Sequence, residues 1–343
     1  MISLVVPALS GPNTGGTRFN RRLVAALRDG GQPVQVRDFD TALDAIGHPM
    51  ALPWIDSLWL PRLGEWLAAA QRVGVPARFG LLTHYLPALV EHGERPPAAG
   101  LSEGEALALR HAEAFLVPSE YLASELRALG VDPSRISVLE PGLDLPVEPT
   151  PGDPTSTTRA VMLANVVEGK GVAPLLDALA KRLHDDDALE LRLIGSLEME
   201  PGYAQRCAVN VREHPALSPR VHLTGPASHE NCIHALLEAD VLLSASRMES
   251  YGMALAEARG CGRPVIARKG GNASAHVRTE WGGRLVDDET AVADALVEFA
   301  RDTEARRERS RLAWTHRLQR TWSACANDLL AALADRSAPR PPQ

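Results

Sequence analysis

The chain has 343 residues, of which 45% are hydrophobic and 23% charged, and it carries a formal net charge of −7 at pH 7. This length is sufficient for two domains of ordinary size, whereas the acidic balance argues against a general nucleic-acid-binding protein, which has a basic surplus. The absence of a transmembrane-length apolar run, of a signal-peptide pattern and of paired cysteines predicts a cytoplasmic protein with reduced thiols and no zinc site.

Strand and helix patterns alternate through the first half of the chain. The first apolar strand is predicted at 2–9 and the first helix at 17–28, with Gly15 and Gly16 in the loop between them. A strand, a glycine-rich loop and a helix form a phosphate-binding arrangement in principle. The further strands and helices predicted in this half are strands 33–36, 77–82, 114–117 and 136–139, and helices 62–73, 102–112 and 119–130.

His84 follows directly after the strand predicted at 77–82. A residue just past the carboxyl end of a parallel strand faces the ligand crevice of an open α/β sheet. A lone histidine is more often structural than functional, but this position favours His84 as a site residue. In the same half, Trp54, Trp59 and Trp66 offer either a platform for a sugar or ordinary packing.

A segment rich in Pro and Thr, residues 146–158, reads as an interdomain linker. The alternation of strands and helices then resumes and ends in a long helical tail, with a disordered end predicted at 337–343. Two such halves predict two Rossmann-like domains that face a cleft. The elements predicted in the second half are strands 160–163, 189–194, 220–223 and 241–243, and helices 172–183 and 305–333.

The stretch Asp240–Glu257 is predicted to form a strand, a loop and the start of a helix. The first helical N–H groups, from Gly252 to Ala254, would have no intrahelical partners and could bind a phosphate oxygen. Glu257 could accept hydrogen bonds from ribose hydroxyls, and Glu249 lies in the loop. Without other signals, two such glutamates are more often a solvated loop residue and an exposed helical residue.

The stretch Glu249–Glu257 resembles the E-x7-E signature of the retaining GT-B glycosyltransferases of family 4 (glycosyl transferases group 1), with Tyr251 at the aromatic position. Pro141–Asp144 resembles the motif that closes the first domain of that family. The resemblance implies a first, acceptor-side domain at 1–147, completed by a C-terminal helix at about 318–335. It implies a second domain at 159–317 that binds the nucleotide sugar.

The resemblance also implies the roles of individual residues. His84, Glu249 and Lys170 would be catalytic, with Lys170 neutralising the diphosphate, so that positive protein groups take the place of a metal. Asn165 stands where the family has an arginine, so either Arg247 or Lys269 compensates or the diphosphate binds less tightly. The donor would be bound by Gly15, Gly16, Asn165, Tyr251, Gly252, Met253, Ala254 and Glu257.

The function that this resemblance implies is retaining transfer of a sugar from a UDP- or GDP-linked donor to an acceptor hydroxyl, without a cofactor. The acceptor is open: a sugar, a lipid-linked sugar or a small molecule. Arg18, Arg21 and Arg22 would permit weak contact with the inner face of a membrane, although three arginines on a helix are usually a solvated face. The alternatives are a GT-B nucleotide-sugar epimerase and a non-catalytic nucleotide-sugar-binding protein.

Overall fold

The computed structural model describes residues 1–10, 14–46, 52–92, 100–145 and 156–337. The chain divides into two compact units. The first unit comprises Met1–Gly142 and the segment from Arg320 onward, and the second comprises Leu143–Gln319. Most of the predicted linker and nearly all of the predicted disordered end lie outside the described residues. Among the described helices, none is long and apolar enough to cross a membrane.

The first unit is an α/β unit with a parallel sheet. Its strands are β1 (Ile2–Val5), β2 (Val34–Arg37), β3 (Pro53–Asp56), β4 (Gly80–Leu82), β5 (Ala114–Val117) and β6 (Ile136–Val138). They pair in the order β2-β1-β3-β4-β5-β6. The helices are α1 (Gly15–Asp29), α2 (Phe39–Ile46), α3 (Leu60–Arg72), α4 (Pro87–His92), α5 (Glu103–His111) and α6 (Glu120–Ala128).

Strand β3 was not predicted from the sequence. It has only four residues, begins with Pro53 and shows no polar alternation, since all four are buried. The structure inserts β3 between β1 and β4. Trp54 packs over Gly80 of β4 so closely that a Cβ on that glycine would lie 2.5 Å from the indole ring. Trp54 is therefore a packing residue of the sheet.

The second unit has the same construction. Its strands are β7 (Thr158–Leu163), β8 (Leu189–Ile194), β9 (Val221–Gly225), β10 (Val241–Ser244), β11 (Val265–Arg268) and β12 (Arg284–Val286). All are parallel and pair in the order β12-β11-β10-β7-β8-β9. The helices are α7 (Val172–Ala180), α8 (Pro201–Glu213), α9 (His229–Glu238), α10 (Met253–Gly260), α11 (Ala273–His276), α12 (Glu289–Arg301) and α13 (Thr303–Thr315). The prediction of two Rossmann-like α/β units is confirmed.

Each sheet has one point at which the strand order reverses. In the first unit the chain leaves β1 toward β2 on one side and returns to β3 on the other. In the second unit the same reversal lies between β7 and β10. Open α/β sheets bind ligands outside the carboxyl ends of the strands at such a switch point, because the loops diverge there and leave a crevice. The loops that follow these strands are therefore the expected positions of ligand sites.

The prediction of one long helix at 305–333 is wrong, because the tail is two helices. α13 ends at Thr315, and α14 (Trp322–Ser337) begins after the irregular segment 316–321. α14 belongs to the first unit, where Trp322 packs edge-on against Phe19 of α1 with 5.7 Å between ring centroids. Arg320 fixes the start of α14 by donating to the carbonyl of Glu140 and pairing with Asp328.

Candidate functional site

Lys170 and Glu249 meet at the switch point of the second unit. Lys170 lies in the loop after β7, and its Nζ is 2.7 Å from Oε1 of Glu249, which lies in the loop after β10. Nζ also donates to Oγ of Ser246 at 3.3 Å. The backbone N–H of Arg247 donates to the carbonyl of Gly169 at 3.0 Å and ties the two loops together. The structure thus brings together two of the residues that the sequence singled out.

The start of α10 lies beside this pair in the chain and has the geometry of an anion site. Gly252, the N-cap residue, has φ of +91°, which a residue with a side chain rarely adopts, and makes no side-chain cap. The N–H groups of the first helical turn, including those of Met253 and Ala254, therefore have no intrahelical partners. Free N–H groups and the positive end of the helix dipole favour a phosphate oxygen.

The backbone that leads into α10 is held by two buried side chains. The carbonyl of Tyr251 accepts hydrogen bonds from Nδ2 of Asn272 and from Nε2 of His276, both at 2.8 Å. Burial lowers the pKa of His276 to about 4, so the ring is neutral at pH 7. The ring of Tyr251 is itself buried and packs edge-on against His276. Tyr251 therefore shapes the loop through packing and its carbonyl.

Glu257 is 3% exposed and does not lie on a solvated helix face. Its Oε1 is 3.4 Å from Nε2 of His229, the first residue of α9. His229 follows the loop after β9 and was not singled out from the sequence. Position after a parallel strand was the available signal for His229, the same signal that selected His84.

Asn165 has a defined structural partner. Its Oδ1 accepts the backbone N–H of Ser196 at 2.9 Å, which joins the loops after β7 and β8. Of the two cations considered as substitutes for the missing arginine, Lys269 is paired with Asp287 at 2.6 Å. Arg247 adjoins the lysine loop through its backbone, and its guanidinium makes only long contacts of 3.7 Å, to Glu168 and Glu289. The geometry favours Arg247.

His84 lies at the carboxyl end of β4 in the first unit and is 8% exposed. Its backbone N–H donates to Oγ of Ser57 at 3.0 Å. Gly16, in the first turn of α1, lies against the imidazole, and a Cβ there would come within 3.1 Å of Cδ2. The glycine pair, Gly15 and Gly16, is thus adjacent to the histidine within one unit, although the sequence analysis assigned it to donor binding.

Two buried residues that the sequence analysis missed surround the imidazole. Nε2 of His84 lies 2.9 Å from Oδ1 of Asn20 and 3.3 Å from Oδ2 of Asp56. Nδ2 of Asn20 donates to the same carboxylate, whose other oxygen accepts the N–H of Leu58 at 2.8 Å. Asn20 and Asp56 are both fully buried. Asp56 ends a strand that was itself not predicted, so its position at the switch point was hidden.

The remaining candidates are less favoured by the structure. Arg18 is buried, so Arg18, Arg21 and Arg22 do not form one solvated basic face. Trp59 stacks against Phe39 rather than standing free. Across the described residue ranges, no group of three or more His, Cys, Asp or Glu side chains is placed to hold a metal ion.

Two parallel six-stranded α/β units with polar sites at their switch points are the architecture of the GT-B fold. Residues 157–302 match the family model described as glycosyl transferases group 1, and residues 13–142 match the glycosyl transferase 4-like domain. The chain therefore belongs to the family-4 glycosyltransferases, glycosyl transferases group 1, which confirms the predicted family. It is a glycosyltransferase of the GT-B type.

The similar proteins agree with this family. A D-inositol 3-phosphate glycosyltransferase of Mycolicibacterium vanbaalenii is 30% identical over 82% of this chain and 67% of its own length. The protein of the same name from Mycobacteroides abscessus is 29% identical over 83% of this chain and 67% of its own length. The crystal structure of Anabaena HepE in complex with UDP and glucose superimposes with a TM-score of 0.74 at 17% identity, covering 98% of this chain and 100% of that chain. At that identity the structural match shows the fold alone.

Proposed function

We propose that this chain is a retaining glycosyltransferase that moves a sugar from a nucleoside-diphosphate sugar to an acceptor hydroxyl. The observation that carries this proposal is the Lys170–Glu249 pair at the β7/β10 switch point, followed directly by the uncapped start of α10. A cation, free N–H groups and a carboxylate are the complementary partners of a diphosphate and a sugar. UDP is the first nucleotide to test, since HepE was crystallised with UDP and glucose.

The bound donor would replace intramolecular contacts of the protein. Nζ of Lys170 would exchange Oε1 of Glu249 for a phosphate oxygen, and the freed carboxylate would accept hydroxyl groups of the sugar. The N–H groups at Met253 and Ala254 would bind the second phosphate. Glu257, whose Oε1 lies 3.4 Å from Nε2 of His229, would accept hydrogen bonds from the ribose hydroxyls.

The chemical step breaks the bond between the sugar's anomeric carbon and the diphosphate oxygen. A bond to the acceptor oxygen forms on the same face, and the acceptor proton passes to an oxygen of the leaving phosphate. Lys170 and the start of α10 stabilise the negative charge that develops on the diphosphate, which is where electrostatic catalysis contributes most. We propose that these groups act without a metal ion or a cofactor.

Arg247 would supply the charge that Asn165 lacks. Its guanidinium contacts Glu168 and Glu289 at 3.7 Å; the pair with Glu168 is exposed and contributes little, and Glu289 also lies 3.7 Å from Arg268. Exchanging them for a phosphate oxygen therefore costs little. The backbone N–H of Arg247 is hydrogen-bonded to the carbonyl of Gly169, so Arg247 lies beside the Lys170 loop.

The first unit would bind the acceptor and provide His84 near the reacting hydroxyl. The relatives named D-inositol 3-phosphate glycosyltransferases make a phosphorylated polyol the first acceptor to test. A cytoplasmic location belongs to the same proposal, with membrane contact only where the acceptor is lipid-linked.

The test begins with thermal unfolding in the presence of UDP, GDP, ADP and TDP and their glucose conjugates, because a bound ligand raises the apparent stability. The stabilising sugar nucleotide is then incubated with D-inositol 3-phosphate and with sugar acceptors, and the anomeric configuration of the product is determined by NMR. A product with the donor's α configuration supports the proposal. A β product contradicts retention, and conversion of the sugar nucleotide without an acceptor indicates an epimerase.

One observation favours a second candidate, a nucleotide-sugar-binding protein without transferase activity. Asn165 replaces a charged residue of the family's phosphate loop, and its Oδ1 is already bound to Ser196. Tight binding of a sugar nucleotide, with neither hydrolysis nor transfer to any acceptor, would favour this candidate.

A further inference from the structure

The side chains around His84 form a closed set of hydrogen bonds. Asp56 accepts the N–H of Leu58 through Oδ1 and the amide Nδ2 of Asn20 through Oδ2. Asn20 in turn presents Oδ1 to Nε2 of His84 at 2.9 Å. Since these groups are buried, an unsatisfied or repulsive contact among them would cost substantial free energy.

This arrangement leaves one orientation for the amide of Asn20. Turning the amide around would place Oδ1 against the carboxylate of Asp56, where two acceptors would repel each other. Oδ1 of Asn20 therefore faces the imidazole, and because a carbonyl oxygen only accepts, Nε2 of His84 must carry the hydrogen. The carboxylate of Asp56, 3.3 Å from Nε2, favours the same proton position.

We propose that Asn20 and Asp56 are positioning residues that hold His84 in the Nε2–H tautomer, so that Nδ1 is the ring atom that meets a substrate hydroxyl. Within the described part of the chain, Nδ1 makes no hydrogen bond. This inference rests on the proposed function, because the substrate is the sugar or acceptor of that reaction. It adds two residues to that function and assigns the atom through which His84 acts.

In the neutral ring, Nδ1 carries the lone pair and accepts a hydrogen bond from a sugar or acceptor hydroxyl, which orients that hydroxyl for transfer. With the other tautomer, Nδ1–H would be a donor and could not accept this bond. Gly16 leaves space for the ring, since a Cβ there would lie 3.1 Å from Cδ2.

Nitrogen NMR of the 15N-histidine-labelled protein tests the tautomer without substrate. Spectra are recorded about two pH units above the ordinary histidine pKa, and the His84 signals are assigned by their loss in His84→Gln. A protonated Nε2 and an unprotonated Nδ1 are expected. A protonated Nδ1, or an equal mixture of tautomers, would overturn the inference. Asn20→Leu removes the accepting oxygen, so the fraction of His84 in the Nε2–H tautomer should decrease in this variant.

Kinetics test whether the positioning matters for transfer. Asp56→Asn should lower kcat about tenfold with KM changed less than twofold, and should have no further effect in a His84→Gln background. A matched control is Glu105→Gln, which alters an equally buried carboxylate of the same unit that binds the N–H groups of Ala88 and Ser102.

The outcomes separate the inference from the proposed function. An undiminished effect of Asp56→Asn in the His84→Gln background, or an equal loss in Glu105→Gln, would show a general structural effect and overturn the positioning role. If His84→Gln keeps full kcat, the catalytic part of the inference is overturned, while the spectrum still decides the tautomer. Failure of the protein to bind or transfer any sugar nucleotide would instead overturn the proposed function.

Discussion

The two units hold their polar groups in different ways. In the first unit, His84 is 8% exposed and sits in a network whose members Asn20 and Asp56 are fully buried. In the second unit, the side chains of Lys170 and Glu249 are 31% and 18% exposed. A buried network with satisfied partners is rigid, whereas a partly solvated ion pair can exchange partners at small cost. The first arrangement suits a group that is set before the substrate arrives, and the second suits a group that binds a charged ligand.

This difference predicts different phenotypes. Changes in the second unit should alter nucleotide affinity, whereas changes around His84 should alter turnover with nucleotide affinity kept. The exception is the buried scaffold of the second site, where His276 supports the start of α10 as rigidly as Asp56 supports His84.

The largest expected effect is the contribution of His276 to the pH dependence of folding stability. Burial lowers the pKa of His276 to about 4. His276 is therefore protonated near pH 6.5 in the unfolded chain, but only near pH 4 in the folded chain. The stability that this group contributes is therefore complete above pH 6.5, falls as the pH decreases to about 4, and levels off below. The total is about 3 kcal/mol.

Urea unfolding of the wild type and of His276→Gln between pH 7 and pH 4 measures this effect. The free energy of unfolding of the wild type should fall over this pH range, and most of that fall should be absent in the variant. Parallel curves for the two proteins would show that His276 titrates normally and is not a rigid part of the site.

The next effect separates the two units directly. His84→Gln should lower kcat by roughly 10²-fold or more if His84 acts on the reacting hydroxyl as proposed. The Kd of UDP should be unchanged, since the proposed nucleotide site is in the second unit. Steady-state kinetics and calorimetry check both quantities. A variant with wild-type kcat and a lower melting temperature would make His84 a structural residue.

Glu257→Gln should weaken the binding of UDP and of uridine to the same extent, by about tenfold, or roughly 1.5 kcal/mol. The proposed contact is with the ribose, which both ligands share, so KM should rise more than kcat falls. Glu230→Gln, on an exposed position of α9, is the matched control. If 2′-deoxy-UDP and UDP still differ in the variant as they do in the wild type, Glu257 does not bind the ribose.

Arg247→Ala should produce the smallest effect, a fivefold weaker binding of UDP, or about 1 kcal/mol, that shrinks at high salt. Uridine, which lacks phosphates, should bind the variant and the wild type equally. Lys269→Ala serves as the control because Lys269 is paired with Asp287. Equal losses in the two variants would mean that neither cation is specific to the diphosphate.

The comparison also explains what the sequence could predict. Glu249 and Glu257 were found because a short signature fixes their spacing on one loop and helix, and Lys170 was found because the family resemblance extends to the loop after the first strand of the second unit. Their partners were not found, because His229 and Glu257 are brought together by the strand order and not by the sequence. Asn20 and Asp56 were missed for a related reason. Asp56 ends β3, a four-residue strand whose buried side chains lack a periodic pattern.

The proposed binding of a nucleoside diphosphate to the second unit through Lys170 is tested most directly by calorimetry. The wild type and Lys170→Ala are titrated with UDP and with uridine. We predict that the wild type binds UDP more tightly than uridine, and that the variant loses roughly 1.5–3 kcal/mol of UDP affinity while its uridine affinity is unchanged. Equal affinity of the two proteins for UDP would contradict the account.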